Sequence, residues 1–301
     1  MAEFTHAVPV RSSVTAYSKP QRKPASYYLG KTAFWLLVAL ILIYTLFPFY
    51  WAIATSLKRS SDLFTTPVPY WPDPLTWDNY RAVFQDDDFM IALRNSAIVS
   101  IASVALALAV GSLAAYAIGR FNFRGKTPIM YLILSMTMFP AIAILGSLYD
   151  MIRFADAFNT LYALVFAYTT FTLPFMVWVL ANFYRAMPAE LEQAALVDGA
   201  SPFRAFYQIL LPLAAPGMAT TGLLAFIACW NEFLFARTFT ITPDARTVPV
   251  AIASFGGQTQ FDLPWGTIMA ASVVVTVPLI VLVLLLQRKI ISGLTAGAIK
   301  G

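Results

Sequence analysis

The chain has 301 residues, 59% of them hydrophobic and only 12% charged, whereas about a quarter of a soluble domain is usually charged. The formal net charge of +5 is distributed by membrane topology, as set out below, so no nucleic-acid partner is expected. One cysteine, Cys229, and one histidine, His6, cannot build a His/Cys metal cluster or a Cys/His dyad; no metal site and no thiol catalysis are expected in this chain.

Residues 1–31 are polar and Pro-containing, with no short apolar core or small-residue cleavage site, and are expected as a disordered cytoplasmic tail rather than a cleaved signal. Six runs then lack Asp, Glu, Lys and Arg: 32–57, 95–119, 127–149, 157–184, 213–231 and 263–287, the fifth continuing past Glu232 to residue 236. A helix needs roughly 20 apolar residues to cross the hydrocarbon core, and each run meets or nearly meets that length. Pro48, Pro140, Pro174 and Pro278 lie inside the runs, where a packed membrane bundle tolerates them as kinks. The expectation is an all-α membrane protein with six transmembrane helices.

After the first helix comes a long outward loop, from Lys58 to about Phe89, rich in proline and aromatics: Pro67, Pro69, Pro72, Pro74, Tyr70, Trp71 and Trp77. It is expected to cap the outer face. Residues 32–88 therefore form the first helix and its extracytoplasmic loop, residues 89–287 a core of five helices, and residues 288–301 a C-terminal tail. With six spans both termini share a side. That side carries thirteen of the twenty basic residues, while ten of the fifteen acids, Asp86, Asp87 and Asp88 among them, lie opposite. Both termini are expected to be cytoplasmic.

Between the fourth and fifth runs lies a polar island, residues 185–212, "RAMPAELEQAALVDGASPFRAFYQILLP". Pro188 suits the first position of a helix, Glu190 and Glu192 suit the positive end of its dipole, and Gly199 suits its end. Ser201 caps and Pro202 opens a second short helix, and Pro212 marks the return to the membrane. One reading is an amphipathic connector lying flat on lipid. The other is a protein-docking surface, favoured by the alanines and by an acidic first helix where a lipid-surface helix carries a basic rim.

The last outward loop, residues 239–264, ends in a Gly- and Gln-rich tip at Gly256, Gly257, Gln258 and Gln260. A flexible surface turn is one reading of it. Just before it, Glu232 is the only acid within a span and is a candidate for substrate contact, or for an interfacial role near the outer surface. Asn95, Trp230 and Asn231 are weaker candidates for the substrate pathway. Cys229 reads as a space-filler. No G-x-x-x-x-G-K-[ST] loop occurs, so any nucleotide chemistry must come from a partner.

The island resembles the EAA loop of binding-protein-dependent ABC importer permeases, in which Glu-Ala-Ala is followed at fixed spacing by Gly and by Ile-x-Leu-Pro. Here Gln193, Ala194 and Ala195 precede Gly199, then Ile209, Leu211 and Pro212. The departure is Gln193 in place of glutamate, which leaves Glu190 or Glu192 to supply any ion pair to an ATPase. "NSAIVS", "AAYAIGRFNFRGK", "CWNEF" and the closing "GLTAGAIKG" are similar to the second membrane subunit of maltose- and trehalose-type sugar importers, and the likeness runs from about Phe34 to the C-terminus.

The resemblance implies the type I ABC importer permease fold with cytoplasmic EAA coupling helices, in a bacterial or archaeal inner membrane. It implies a heterodimer with a sister permease, an ABC ATPase dimer and an extracytoplasmic sugar-binding protein, with membrane lipid around them and a sugar such as trehalose or maltose as substrate. ATP and Mg would be bound by the ATPase; this chain would hold no cofactor and catalyse nothing. Glu190, Glu192, Gln193, Ala194, Ala195, Asp198, Gly199 and Ala200 would couple to the ATPase. Leu294, Thr295, Gly297 and Lys300 would reach it from the C-terminal tail, if that tail is not simply frayed. Gly256, Gly257, Gln258 and Gln260 would form a scoop entering the binding protein. The rival readings are the same fold carrying another solute, such as a sugar phosphate or other oligosaccharide, and a secondary transporter independent of ATP. An intramembrane hydrolase is disfavoured, because neither His/Cys chemistry nor paired intramembrane carboxylates are available.

Overall fold

The computed structural model describes residues 25–256 and 263–298, with side chains from 27 to 287. Gly257, Gln258, Gln260, Lys300 and residues 1–24 of the expected N-terminal tail lie outside the described residues, whereas residues 25–31, expected to be disordered, are the helical start of α1. The chain divides into two units, one ending at Tyr50 and the other beginning at Trp51. The first holds most of α1 (Ala25–Ser56), which is apolar on every face, with Leu29, Leu40, Ile43 and Tyr44 all exposed within that unit. A helix with no polar face is one built for lipid or for another protein.

Among its described residues the second unit contains helices joined by loops and no strand, with α-helices in the order α2 (Asp78–Gln85), α3 (Asp87–Arg120), α4 (Lys126–Thr137), α5 (Ala141–Phe154), α6 (Leu161–Ala186), α7 (Glu190–Val197), α8 (Pro202–Ala205), α9 (Leu211–Leu213), α10 (Ala215–Trp230), α11 (Leu234–Phe239), α12 (Val248–Ala253) and α13 (Trp265–Ala298). Four helices are long and apolar enough to cross a membrane. Two helix pairs reach the same length and apolarity only when taken together, α4 with α5 bent by 94° and the α8–α9 segment with α10 bent by 72°. The six expected spans correspond to four continuous helices and, where each bent pair counts as one span, these two pairs.

Sequence explains both bends. Pro48, Pro174 and Pro278 stay inside helices as expected, whereas Pro140, expected as a kink, interrupts the helix altogether. It sits in extended conformation ahead of α5, because it has no N–H with which to continue α4. Before Pro212 the turn widens into a π-helical stretch, Phe206–Leu210, in which the Leu211 N–H donates to the Phe206 carbonyl. The 72° break itself lies between Leu213 and Ala215, where Pro216, in the first turn of α10, has no N–H with which to continue the preceding helix. Helix ends also overrun the charge-free runs. Helix α3 starts at Asp87, where the Asp86 carboxylate accepts from the Phe89 N–H at 3.0 Å, eight residues before the run at 95. Charge-free length locates the hydrocarbon, whereas caps locate the helix.

Helices α3 and α6 make the central pair. Ser103, Ala107, Gly111, Ala115 and Gly119 recur every fourth residue along α3 and are all buried. A β-carbon at Gly119 would stand 3.0 Å from the Ala181 carbonyl oxygen, and one at Gly111 3.4 Å from Met176 Cβ. Where lipid offers no hydrophobic driving force, small residues at this spacing let two backbones pack by close approach. One core cluster joins Val99, Leu164, Tyr168, Cys229, Phe235 and Phe239; Cys229 is thus packing, as expected. A second joins Tyr116, Leu180, Tyr184, Phe206 and Leu210 beneath the polar island.

The loop after α1 is folded against the helices of this unit. Asn79 donates through Nδ2 to the Ser56 and Lys58 carbonyls at 2.9 and 2.8 Å, and Thr76 N–H donates to the Leu57 carbonyl at 2.9 Å. Lys58 is buried, its ammonium bonded to the Pro69 carbonyl and 4.6 Å over the Trp51 ring. Burial pulls its pKa below the ordinary lysine range.

Candidate functional site

The island folds as two short helices joined by a glycine turn. Helix α7 begins at Glu190, with Pro188 and Ala189 ahead of it, so Pro188 leads into the helix instead of occupying its first position. Its end is a Schellman motif: Gly199, at φ +84°, donates to the Leu196 carbonyl at 3.1 Å, and the Ala200 N–H donates to the Ala195 carbonyl at 2.9 Å. Ser201 then caps α8 by accepting from the Arg204 N–H at 3.2 Å, with Pro202 in the first turn. These two signals fall where the sequence placed them.

Which side chains face outward decides what the island can do. Glu190, Gln193, Ala194, Asp198 and Gly199 are exposed, Ala200 is half-buried, and Ala195 is buried at 5%. Leu191, Leu196, Val197, Phe203 and Tyr207 are exposed on the same pair of helices, Val197 at 86% and Phe203 at 68%. Exposed apolar side chains therefore stand beside carboxylates on one surface, a combination found at interaction sites.

Glu192 departs from the expectation. Its Oε2 accepts from Arg120 Nε at 2.8 Å and its Oε1 from the Tyr116 hydroxyl at 2.6 Å, and the two ionic side chains are only 8% and 14% exposed, arginine first. It is committed to the end of α3 and is unavailable as a stand-in for the glutamate that Gln193 replaces. Arg120 also donates to the Met187 carbonyl at 2.9 Å and the Pro188 carbonyl at 3.1 Å. Sequence reading used Arg120 only as a topological charge and missed both partners. The signal available was the position of Tyr116 and Arg120, one turn apart at the mouth of the island.

The substrate-pathway candidates separate. Asn95 is fully buried and donates to the Asp244 and Arg246 carbonyls at 2.7 and 3.0 Å, pinning the base of the last outer loop; it is a structural residue, not a pathway contact. Trp230 is buried and stacked on Phe226 at 5.5 Å, which also removes it from the pathway. Asn231 is exposed, and its Nδ2 donates to the Ile227 carbonyl at 2.8 Å at the end of α10. Glu232 lies two residues ahead of α11, its two oxygens accepting from the Phe235 and Ala236 N–H groups of the helix's first turn at 2.8 and 3.1 Å. It also lines a cavity of about 700 Å³ framed by the α4–α5 bend, α6 and α10.

That cavity carries Ser135, Thr137, Thr170 and Glu232 among the rings of Phe139, Phe171, Phe175 and Phe235. Each hydroxyl donates its proton back to its own helix, Ser135 to Leu132, Thr137 to Leu134 and Thr170 to Phe166, at 2.7, 2.7 and 2.9 Å. With those protons committed, each hydroxyl oxygen keeps its acceptor capacity, so the lining combines hydrogen-bond acceptors with aromatic rings. None of these residues except Glu232 stood out in the sequence, because serines, threonines and phenylalanines are ordinary in apolar spans. Elsewhere, exposed Gly256 has open space around its backbone. The Leu294, Thr295 and Gly297 backbones are helical, since α13 continues to Ala298.

A family model described as the binding-protein-dependent transport system inner membrane component matches residues 107–295. The chain belongs to this family of permeases. The permease is 41% identical over 272 residues to the trehalose transport system permease protein SugB of Mycobacterium tuberculosis, covering 90% of this chain and 98% of the relative. It is 42% identical over 264 residues to the trehalose/maltose transport system permease protein MalG of Thermococcus litoralis, covering 87% and 94%. The sulfoquinovosyl glycerol transport system permease protein SmoH of Agrobacterium fabrum is 37% identical over 277 residues, covering 92% and 96%. In fold, the permease is similar to a chain of a bacterial ABC transporter involved in the import of alginate, with a TM-score of 0.75 at 18% identity over 89% of this chain and 98% of that one. The type I importer permease fold expected from the island is the fold observed.

Proposed function

We propose that this permease is one half of the pore of an ATP-driven sugar importer and carries an α-glucoside of the trehalose or maltose class. The observation that carries the reading is its identity of 41% and 42% to two permeases named for those sugars, over nearly their whole lengths. The chain hydrolyses nothing itself. A sister permease completes the pore, two copies of an ABC ATPase supply ATP and Mg chemistry at the cytoplasmic face, and an extracytoplasmic binding protein delivers the sugar. Both termini are cytoplasmic, which places the island beside the ATPase, where Leu196, Val197 and Phe203 enter its cleft with Glu190 and Asp198 at the rim. The 700 Å³ cavity is within the usual range of ligand sites and forms this chain's share of the passage. Sugar hydroxyls donate to Ser135, Thr137, Thr170 and Glu232, and ring faces rest on phenylalanine. Gly256, Gly257, Gln258 and Gln260 act as the scoop, and Leu294, Thr295, Gly297 and Lys300 approach the ATPase from the C-terminus.

Reconstitution of the assembled complex in proteoliposomes tests this reading. Uptake of labelled trehalose or maltose is expected only with ATP, the ATPase and the binding protein present. Uptake that persists without the ATPase would mean a secondary transporter. ATP-dependent uptake competed by sulfoquinovosyl glycerol but by neither disaccharide would keep the importer and change its substrate.

A further inference from the structure

Helix α7 is joined covalently to its neighbouring helices only through residues 187–189 and 198–201, yet a lever must move with the body it drives. Arg120 supplies a noncovalent joint at that place. Its guanidinium reaches the Glu192 carboxylate at 2.8 Å, the Met187 carbonyl at 2.9 Å and the Pro188 carbonyl at 3.1 Å, so one side chain on α3 holds the end of the α6 loop and the first turn of α7 together. Tyr116, one turn earlier on α3, closes the second carboxylate oxygen at 2.6 Å, and its ring lies 4.8 Å from Phe206 and 6.2 Å from Tyr184. Among the described residues the other ion pair, Arg81 with Asp78, is solvent-exposed at 73% and 72%, where water weakens it. The Arg120–Glu192 pair is sheltered, so water and salt screen it little.

We propose that Tyr116, Arg120 and Glu192 form a tie that makes α7 move as one body with the cytoplasmic ends of α3 and α6, and so set how much of each ATPase closure becomes movement of the pore. The proposal rests on the reading of the island as the ATPase-docking element. Arg120, Tyr116 and Glu192 are positioning residues; they touch neither sugar nor nucleotide. Close packing at Gly119, one residue before Arg120, means that a pull on the tie reaches α6 as well as α3, because the two backbones are already in contact there. Tight packing transmits displacement instead of absorbing it.

The test uses the whole complex in proteoliposomes and reads sugar taken up per ATP hydrolysed, with co-purification of the ATPase as a control. Removing one charge would leave the other buried and unpaired, which confuses folding with coupling, so Arg120→Leu and Glu192→Leu are combined; replacing both members of a buried pair by apolar groups is often neutral for stability. The double variant is expected to retain its ATPase and to lose uptake per ATP by roughly 5–150-fold, the range of ordinary allosteric couplings. Parental uptake per ATP in that variant would overturn the proposal. Tyr116→Phe keeps the ring contacts and removes one hydrogen bond; uptake per ATP about fivefold lower supports the tie, and no change would remove Tyr116 from it. If the parental chain itself never co-purifies with an ATPase, the docking reading falls first, and the tie with it.

Discussion

Replacing Gly199 by valine is expected to separate ATP hydrolysis from sugar uptake while the chain still inserts and assembles. No atom lies within 4 Å of the position a β-carbon would take, so crowding is absent, and the whole penalty arises from the backbone at φ +84°. For a residue with a β-carbon that conformation costs about 1–2 kcal/mol, and β-branching adds to it. The energy is drawn from the two hydrogen bonds that finish α7, which hold Ala195 inward and Val197 outward. A loss of one or two kcal/mol lowers the population of the correctly ended helix by a factor of roughly 5–30. Gly199→Asn, which tolerates the left-handed region, is expected to keep most of the activity. The measurement is ATP hydrolysed against sugar accumulated in proteoliposomes. Normal coupling in the valine variant would mean that the ending of this helix does not matter for transmission.

Gly266 predicts the opposite kind of failure. Its backbone needs no unusual angle, but a β-carbon there would fall 2.6 Å from Asn79 Oδ1 and 2.7 Å from Nδ2. Asn79 is buried and holds the Ser56 and Lys58 carbonyls, so Gly266→Ala pushes aside the amide that ties α2 and the outer loop to the end of α1. Overpacking of this kind costs about 1–3 kcal/mol, and each buried carbonyl left unpaired adds about 1–3 kcal/mol. Gly266→Ala is therefore expected to lower the melting temperature of the detergent-solubilised complex and to reduce the amount in the membrane, leaving sugar moved per ATP unaltered in what remains. An unchanged melting temperature would show that Asn79 finds another rotamer at little cost. One glycine is needed for its angle and the other for its emptiness, and the two variants separate coupling from stability.

Much of this was legible from residues alone. Charge-free runs located all six spans, and Ser201, Pro202 and Gly199 located the two short helices, because caps act through their immediate neighbours. What escaped depends on groups far apart in sequence. The meeting of Arg120 with Glu192 spans 72 positions and that of Asn95 with Arg246 spans 151, and neither pairing leaves a mark at either end. Asn95 looked like a polar group awaiting a solute, when its partners were backbone carbonyls that no sequence pattern reveals. The cavity escaped for a related reason: it exists because Pro140 folds α5 back by 94°, and a proline within an apolar run reads equally well as a mild kink or as a break. The small-residue repeat from Ser103 to Gly119 was visible, but a stretch already read as a span draws no attention to which face is narrow.

Helix α7 has eight residues, well below the length at which a helix holds itself in water. It is held by Tyr116 and Arg120 of α3, which bond Glu192, with the Phe206 ring against Tyr116. On the proposed reading, a protein gripping Val197 and Phe203 would therefore grip a surface whose shape belongs to the packed bundle and not to the short helix alone.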